Sequence, residues 1–179
     1  MTRKILLSAV AAFSLVNAAD AGAQRSAGES VDDTTIAMSV KSALVDSDVV
    51  EAGKINVEVY KRTVQLSGYV PTEEQKAAAL QIADGADGVD GVEDALIVMA
   101  GKRSVGRTID DETINGKIKL KIAEVSGFGD AIGVVTHVRN GEVLLGGFVE
   151  TEQLRKDIVA AAESLDGVLK VHDRMAVKP

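Results

Sequence analysis

The stretch Asp32-Asp33-Thr34-Thr35-Ile36 returns further along the chain as Asp110-Asp111-Glu112-Thr113-Ile114. Beyond it, apolar and glycine positions repeat at one constant offset to the end of the chain, as in Val64/Val143, Leu66/Leu145, Gly68/Gly147 and Gly88/Gly167. Self-similarity at a fixed period is typical of repeated structural units. The chain therefore contains two copies of one small module, and its fold must be understood copy by copy.

Residues 1–23 have the pattern of a cleaved export signal. Thr2-Arg3-Lys4 is positively charged, residues 5–16 are apolar, and residues 19–23 offer small side chains to a peptidase. We expect cleavage after Ala23, with Ala21 as the alternative. Because an apolar run of about a dozen residues is too short to cross ~30 Å of hydrocarbon, no permanent membrane span is expected.

The chain has no cysteine. Disulfides, thiolate metal sites and the thioether of a lipoprotein anchor are therefore excluded by composition. An exported, acidic, cysteine-free chain is expected in the periplasm or beyond it. Nucleic-acid binding is poorly supported, because the net charge is −7 and aromatic residues are only 3% of the chain.

Charge is divided unevenly between the two copies. Residues 31–99 carry 13 acidic and five basic side chains, a net charge of −8, whereas residues 100–179 carry 12 of each. Anionic surfaces should repel the first copy and tolerate the second.

Each copy has the same predicted order of elements. An amphipathic helix follows the aspartate pair, which is expected to cap it, with apolar residues at spacing four (Ile36, Val40, Leu44; Ile114, Ile118, Ile122). A β-hairpin comes next, and Asn140-Gly141 in the second copy tolerates the positive φ of a tight turn. A second helix begins near Thr72 or Thr151, and a strand over 92–98 or 168–177 closes the copy.

These elements predict an α+β fold of two tandem αββαβ units, each a three-stranded mixed sheet with two helices on one face. The other sheet face is left wet or packed on the sister copy. The predicted divisions are a signal peptide (1–23), a disordered N-terminus (24–30), a first domain (31–99), a linker (100–108) and a second domain (109–179). Gly68 and Gly147 lie inside strands, where we expect a helix to pass close overhead, with a ligand pocket as the alternative.

The aspartate-rich helix start, the L-x-G-x-V of 66–70 and 145–149, and the G-V-x-x-V of 88–92 and 167–171 carry a family resemblance. The chain resembles the BON domain family over nearly all of its mature length. The resemblance implies an αββαβ fold, an envelope location, attachment to phospholipid surfaces and a part in envelope integrity under osmotic stress. It implies no catalytic residues. The second copy departs from the pattern at 126–129, which is predicted to be a loop.

The sequence contains no convincing set of catalytic or metal-binding residues. His137 and His172, with counterparts Glu58 and Glu93 in the first copy, occupy strand positions that alternate with core residues and are expected to face solvent. No phosphate loop, zinc spacing or nucleophile elbow is present. The sequence predicts a protein that is not an enzyme, with no cofactor and no metal.

The helix that opens the second copy carries the sharpest functional feature. When successive residues are placed around a helix of 3.6 residues per turn, Leu120 falls on the side opposite the core stripe that Ile114 begins. Lys117 and Lys119 flank it, and Lys121 lies near the core boundary. An exposed leucine between lysines suits a lipid interface, whereas the first copy has Ser42 at this position. A solvated lysine face, or a contact with the other copy, is the alternative.

The leading hypothesis is therefore peripheral binding to anionic phospholipid through Lys117, Lys119, Leu120 and Lys121, with Phe128 as a helper from the loop beyond the helix. A core position for Phe128 is equally compatible with the sequence. The alternative function is a soluble, chaperone-like module whose exposed sheet faces bind envelope proteins. The oligomeric state, lipid headgroup and inducing stress stay open.

Overall fold

The computed structural model describes residues 27–101, 105–130 and 133–179, and side chains at 32–101, 106–108, 110–126 and 133–179. The export signal and both cleavage sites lie outside these ranges. The elements are α1 (Ala27–Val45), a 3₁₀ turn (Ala52–Lys54), β1 (Ile55–Tyr60), β2 (Thr63–Val70), α2 (Glu73–Asp84), β3 (Gly91–Val98), α3 (Val105–Asp130), β4 (Val134–Arg139), β5 (Glu142–Val149), α4 (Glu152–Glu163), β6 (Lys170–Asp173) and β7 (Ala176–Val177).

Each copy has one mixed sheet with its hairpin's second strand at the centre. β2 pairs antiparallel with β1 and parallel with β3, and β5 pairs in the same way with β4 and β6. The helix stripes are buried as predicted, with Val40 and Ile118 fully buried, and they pack against one face of each sheet. The α+β class with two αββαβ units is confirmed.

The aspartate pairs do not cap helices, so that prediction was wrong. Both oxygens of Asp33 accept hydrogen bonds from the hairpin turn, from the backbone N–H of Lys61 (2.9 Å) and of Arg62 (2.8 Å). Asp111 accepts in the same way from Asn140 and Gly141, both at 2.9 Å. The turn residues have positive φ in both copies. Each buried carboxylate therefore fixes a β-hairpin turn against the first helix of its copy.

We expect Asp111→Asn to lower the free energy of unfolding by about 2 to 3 kcal/mol, because an amide replaces two charge-assisted acceptors with one and buries an N–H₂ group against donors. Chemical denaturation followed by circular dichroism measures this. Asp110→Asn is the matched control, since Asp110 is exposed and its loss should change stability by less than about 0.5 kcal/mol. Equal effects of the two substitutions would contradict the assignment.

The first helix of each copy is longer than predicted. α1 begins at Ala27, so residues 27–30 are helical and not a disordered tail, and α3 begins at Val105, inside the predicted linker. α3 also continues through 126–129, which was predicted to be a loop. The Ser126 hydroxyl donates to the carbonyl of Ile122 at 2.6 Å, the bond that a serine inside a helix makes to the residue four positions earlier.

The last predicted strand of the second copy is divided into β6 and β7. Asp173 accepts a hydrogen bond from the Met175 N–H at 3.1 Å, and Met175 is buried in the core. The carbonyl of the intervening Arg174 accepts from the Gln65 side chain of the first copy at 3.0 Å. The break between β6 and β7 therefore coincides with a contact between the copies.

The strand glycines are required by backbone geometry and not by an overlying helix, which corrects the prediction. Gly68 and Gly147 have φ of +143° and +95°. A Cβ on Gly68 would overlap the carbonyl oxygen of Lys54, and one on Gly147 would overlap that of Gly133. In each copy the obstruction is the chain entering the neighbouring strand of the same sheet.

The second faces of the two sheets pack against each other. Gln65 of β2 accepts from the N–H of Gly147, and the hydroxyl of Tyr69 donates to the Glu142 carbonyl at 3.0 Å. The rings of Tyr60 and Phe148 lie 5.6 Å apart. Of the two alternatives left by the sequence, the sheet faces are therefore packed on the sister copy. Within the described part of the chain, no helix is long and apolar enough to cross a bilayer.

Candidate functional site

Four of the five predicted binding residues have described side chains, and all four lie on α3: Lys117, Lys119, Leu120 and Lys121. Leu120 is 69% exposed on the side opposite the buried stripe of Ile118 and Ile122. Lys117 and Lys119 are exposed on either side of it. This leucine face is therefore open to solvent and not covered by the first copy.

Lys121 differs from the other two lysines. It is half-buried and its Nζ lies 2.7 Å from a carboxylate oxygen of Glu124. An exposed ion pair of this kind is weak, but it places a negative charge beside the lysine. Lys121 therefore offers less positive charge to an anionic surface than Lys117 or Lys119.

Phe128 lies within the span of α3, and its side chain is outside the described residues. The predicted loop position was wrong, as described above. Its proposed role as a helper stays a prediction.

The sequence interpretation missed a second exposed leucine. Leu169 is 74% exposed, and it lines one hollow together with Lys117 and Gly141. Its counterpart in the first copy is Asp90, which forms an ion pair with Arg62 at 3.1 Å. A comparison of the two copies position by position could have found it, because a charged residue is replaced by a leucine.

The first copy is not free of exposed apolar residues on its opening helix. Met38 is 60% exposed, and Val45 is also exposed. Lys41 is the basic residue of α1 within 32–45. The difference between the copies therefore lies in the charge around the apolar residue as much as in the residue itself.

The two histidines do not face open solvent, so that prediction was wrong. His137 lies between the sheets, with Nε2 3.5 Å from the Ser67 hydroxyl, and burial together with the nearby Lys119 lowers its pKa to about 4. His172 contacts a carboxylate oxygen of Glu142 at 2.6 Å. Because Ser67 is only 1% exposed, a substrate has no access to its hydroxyl. We assign the Ser67–His137 contact to packing between the copies.

The partly buried position of His137 between the sheets predicts a loss of stability in mild acid. Its folded-state pKa is below the ordinary value of 6.5, so the unfolded chain takes up a proton first as pH falls. Stability from the neutral imidazole is complete above pH 6.5 and should decline by about 2 to 3 kcal/mol between pH 6.5 and 4. Denaturation midpoints across this range measure it. His137→Gln should flatten the profile, and an unchanged slope in that variant would contradict the assignment.

The described residues contain no cluster of three or more His, Cys, Asp or Glu side chains placed to hold a metal ion.

Two segments, 32–100 and 110–179, match the family model of the BON domain. The chain belongs to the BON domain family. It is similar to osmotically-inducible protein Y (OsmY) of Escherichia coli K12, with 32% identity over 84% of this chain and 75% of that protein. It is also similar to the outer membrane lipoprotein DolP of Haemophilus influenzae, with 31% identity over 82% of this chain and 77% of that protein.

A third relative of this BON protein is the 21 kDa hemolysin of Actinobacillus pleuropneumoniae, with 35% identity over 82% of the chain and 75% of that protein. Among solved structures, the C-terminal domain of CdsD, a structural protein of the type III secretion system of Chlamydia trachomatis, aligns over 82% of this chain and 67% of its own. Its TM-score is 0.33 at 18% identity.

Proposed function

We propose that this BON protein is a periplasmic, non-enzymatic envelope-stress protein that binds anionic phospholipid surfaces peripherally through its second BON domain. The membrane-binding residues are Leu120 with Lys117, Lys119 and Lys121, joined by Leu169. The observation that carries the proposal is the exposure of Leu120 between exposed lysines, on the copy that has no net negative charge.

An exposed leucine among lysines is the composition of an interfacial surface, with apolar side chains entering the headgroup region and ammonium groups near lipid phosphates. Lys117 links the two leucines, since it is one helical turn before Leu120 on α3 and lines the hollow that contains Leu169. The binding face therefore runs from Leu120 past Lys117 on α3 to Leu169, the residue immediately before β6.

The strength of this contact follows from a short estimate. A lysine near an anionic leaflet contributes about 1 kcal/mol, and burying one leucine contributes about 1.5 to 3 kcal/mol. Three lysines and Leu120 give a total that corresponds to a Kd of roughly 10² μM. The ion pair of Lys121 with Glu124 offsets part of the electrostatic attraction and lowers this total. Burial of Leu169 raises it. Binding should be reversible and strongly dependent on salt.

The relatives' names support an envelope role. One names a protein induced osmotically, one an outer membrane lipoprotein and one a hemolysin. The alternative of a chaperone-like module required exposed sheet faces, and those faces pack on each other here. No observation favours it over lipid binding.

Flotation with vesicles of neutral and of anionic phospholipid tests the proposal. We expect recovery with anionic vesicles at low salt, little recovery with neutral vesicles, and release at high salt, since ions screen exposed charges beyond ~10 Å at 0.1 M. Equal recovery with both vesicle types would contradict the proposal. Suppression of client aggregation without lipid would favour the alternative.

A further inference from the structure

A cleft of about 490 Å³ lies at the junction of the two copies. Its walls come from the start of β1, from α3, from β4 and from Tyr69, with Gly101 of the connecting segment at one side. It lies beside His137, on the flank of α3 turned toward β4, and does not include Leu120 or Leu169. A volume of this size is within the range of small-molecule sites.

Arg139 is the unusual residue of this cleft. It is 7% exposed, and its Nη2 donates to the carbonyl of Gly101. Its Nε is buried and has no hydrogen-bond acceptor among the described residues. A guanidinium group does not lose its proton in a protein, so this donor and its charge persist at all ordinary pH values. A buried cation with spare hydrogen-bonding capacity is costly unless an acceptor meets it.

The other charged groups of the lining set the charge of a fitting ligand. Both oxygens of Asp111 already accept bonds from the hairpin turn, and Glu112 is exposed at the rim. Lys54 forms an ion pair with Glu51. The formal charges of the lining cancel, with Lys54 and Arg139 against Asp111 and Glu112. This balance disfavours a polyanion, so a fitting ligand carries no more than one negative group, which Arg139 would meet.

The first copy has no equivalent site among the described residues. The position that corresponds to Arg139 is occupied there by Tyr60, whose ring packs on Phe148. The cleft therefore requires both copies, and its guanidinium comes from the second.

We infer that this cleft binds a small soluble ligand that presents one carboxylate or phosphate group to the guanidinium of Arg139. No residue of the proposed lipid surface lines this cleft, although Lys119 lies near His137 at its wall. Its occupancy should tighten the junction of the copies, because the ligand would contact β1 of one and β4 of the other.

The test uses the full mature chain and two probes, acetate and inorganic phosphate, titrated against chloride at constant ionic strength. NMR of the arginine side-chain Nε–H signals reports the site. We expect a saturable shift of the Arg139 signal with a Kd of about 1 mM and no saturable shift of the exposed Arg62. Absence of a saturable Arg139 shift with either probe would overturn the inference.

Gly53 provides a matched pair of variants that leaves the fold intact. It lines the cleft, and a Cβ added there meets no atom within 4 Å. Gly53→Asp should weaken anion binding about fivefold relative to Gly53→Asn, because the two side chains differ only in charge. Arg139→Gln should abolish binding, and the Gly53 pair keeps the test decisive if that variant is unstable.

Vesicle flotation separates this inference from the proposed function. Gly53→Asp and Gly53→Asn should bind anionic vesicles equally. Equal anion affinity of the two variants would overturn the inference, and so would a loss of vesicle binding confined to Gly53→Asp, because the ligand group would then be a lipid headgroup. Neither result depends on whether Leu120 enters the bilayer.

Discussion

Gly147→Ala is expected to lower the free energy of unfolding by about 4 kcal/mol or more, an unusually large effect for the addition of one methyl group. Gly147 is in β5, the central strand of the second copy, with φ of +95°. An L-residue at positive φ costs about 1 to 2 kcal/mol. The new Cβ would also overlap the carbonyl oxygen of Gly133, which is backbone and cannot move without opening the β4–β5 pairing.

Thermal unfolding measures the effect of Gly147→Ala, with a fall in Tm of more than about 15 °C expected for a domain of this size. Gly68→Ala should act similarly in the first copy, since its Cβ would meet the Lys54 carbonyl. Gly116→Ala is the control. That glycine lies exposed in α3 with free space around it, so alanine should stabilise by up to about 1 kcal/mol. A Gly147→Ala variant within about 1 kcal/mol of the parent would contradict the assigned backbone constraint.

The double substitution Lys119→Glu with Leu120→Ser should abolish vesicle binding. Removing the leucine forfeits about 1.5 to 3 kcal/mol, and reversing one charge near an anionic leaflet forfeits about 2 kcal/mol. Together they weaken binding by roughly 4 × 10² to 5 × 10³-fold, which takes a Kd already near roughly 10² μM beyond detection. Flotation with anionic vesicles measures the loss.

The duplication supplies the control for this variant. Lys41 and Ser42 occupy the positions of Lys119 and Leu120 in the first copy, so Lys41→Glu makes a comparable charge change on the acidic domain. It should leave vesicle binding within about twofold of the parent. Retained binding by the double variant, with its circular dichroism spectrum unchanged, would place the lipid contact elsewhere on the molecule.

Sequence patterns that report local geometry predicted the fold well. The stripe of Ile114, Ile118 and Ile122 is buried as its spacing indicated, and Asn140-Gly141 forms the turn with φ of +55° and +78°. Asp111 was misinterpreted because a carboxylate near a helix start can accept either from the helix or from a neighbouring turn. Sequence spacing does not distinguish these two uses, since the turn is distant from Asp111 along the chain and meets it only in the folded copy.

Contacts between the copies were harder to predict for a physical reason. Gln65 and Ser67 alternate with core residues, and polar side chains at such positions usually face water. Here both are buried between the two sheets. Gln65 bonds to the backbone of the second copy, and Ser67 contacts His137. Leu169 was missed because it follows a glycine stop at the start of a strand, where a leucine is usually taken as core. Its exposure depends on the tertiary arrangement around Gly141.

Depth of insertion tests the central claim most directly, and the absence of tryptophan from the chain makes it a clean measurement. Leu120→Trp and Ser42→Trp each introduce one indole at matched positions of the two copies. With anionic vesicles that contain lipids brominated along the acyl chain, fluorescence of the Leu120→Trp variant should be strongly quenched and that of the Ser42→Trp variant should not change. Equal quenching in both variants, or none in Leu120→Trp under conditions where the protein floats with vesicles, would contradict binding through the outer face of α3.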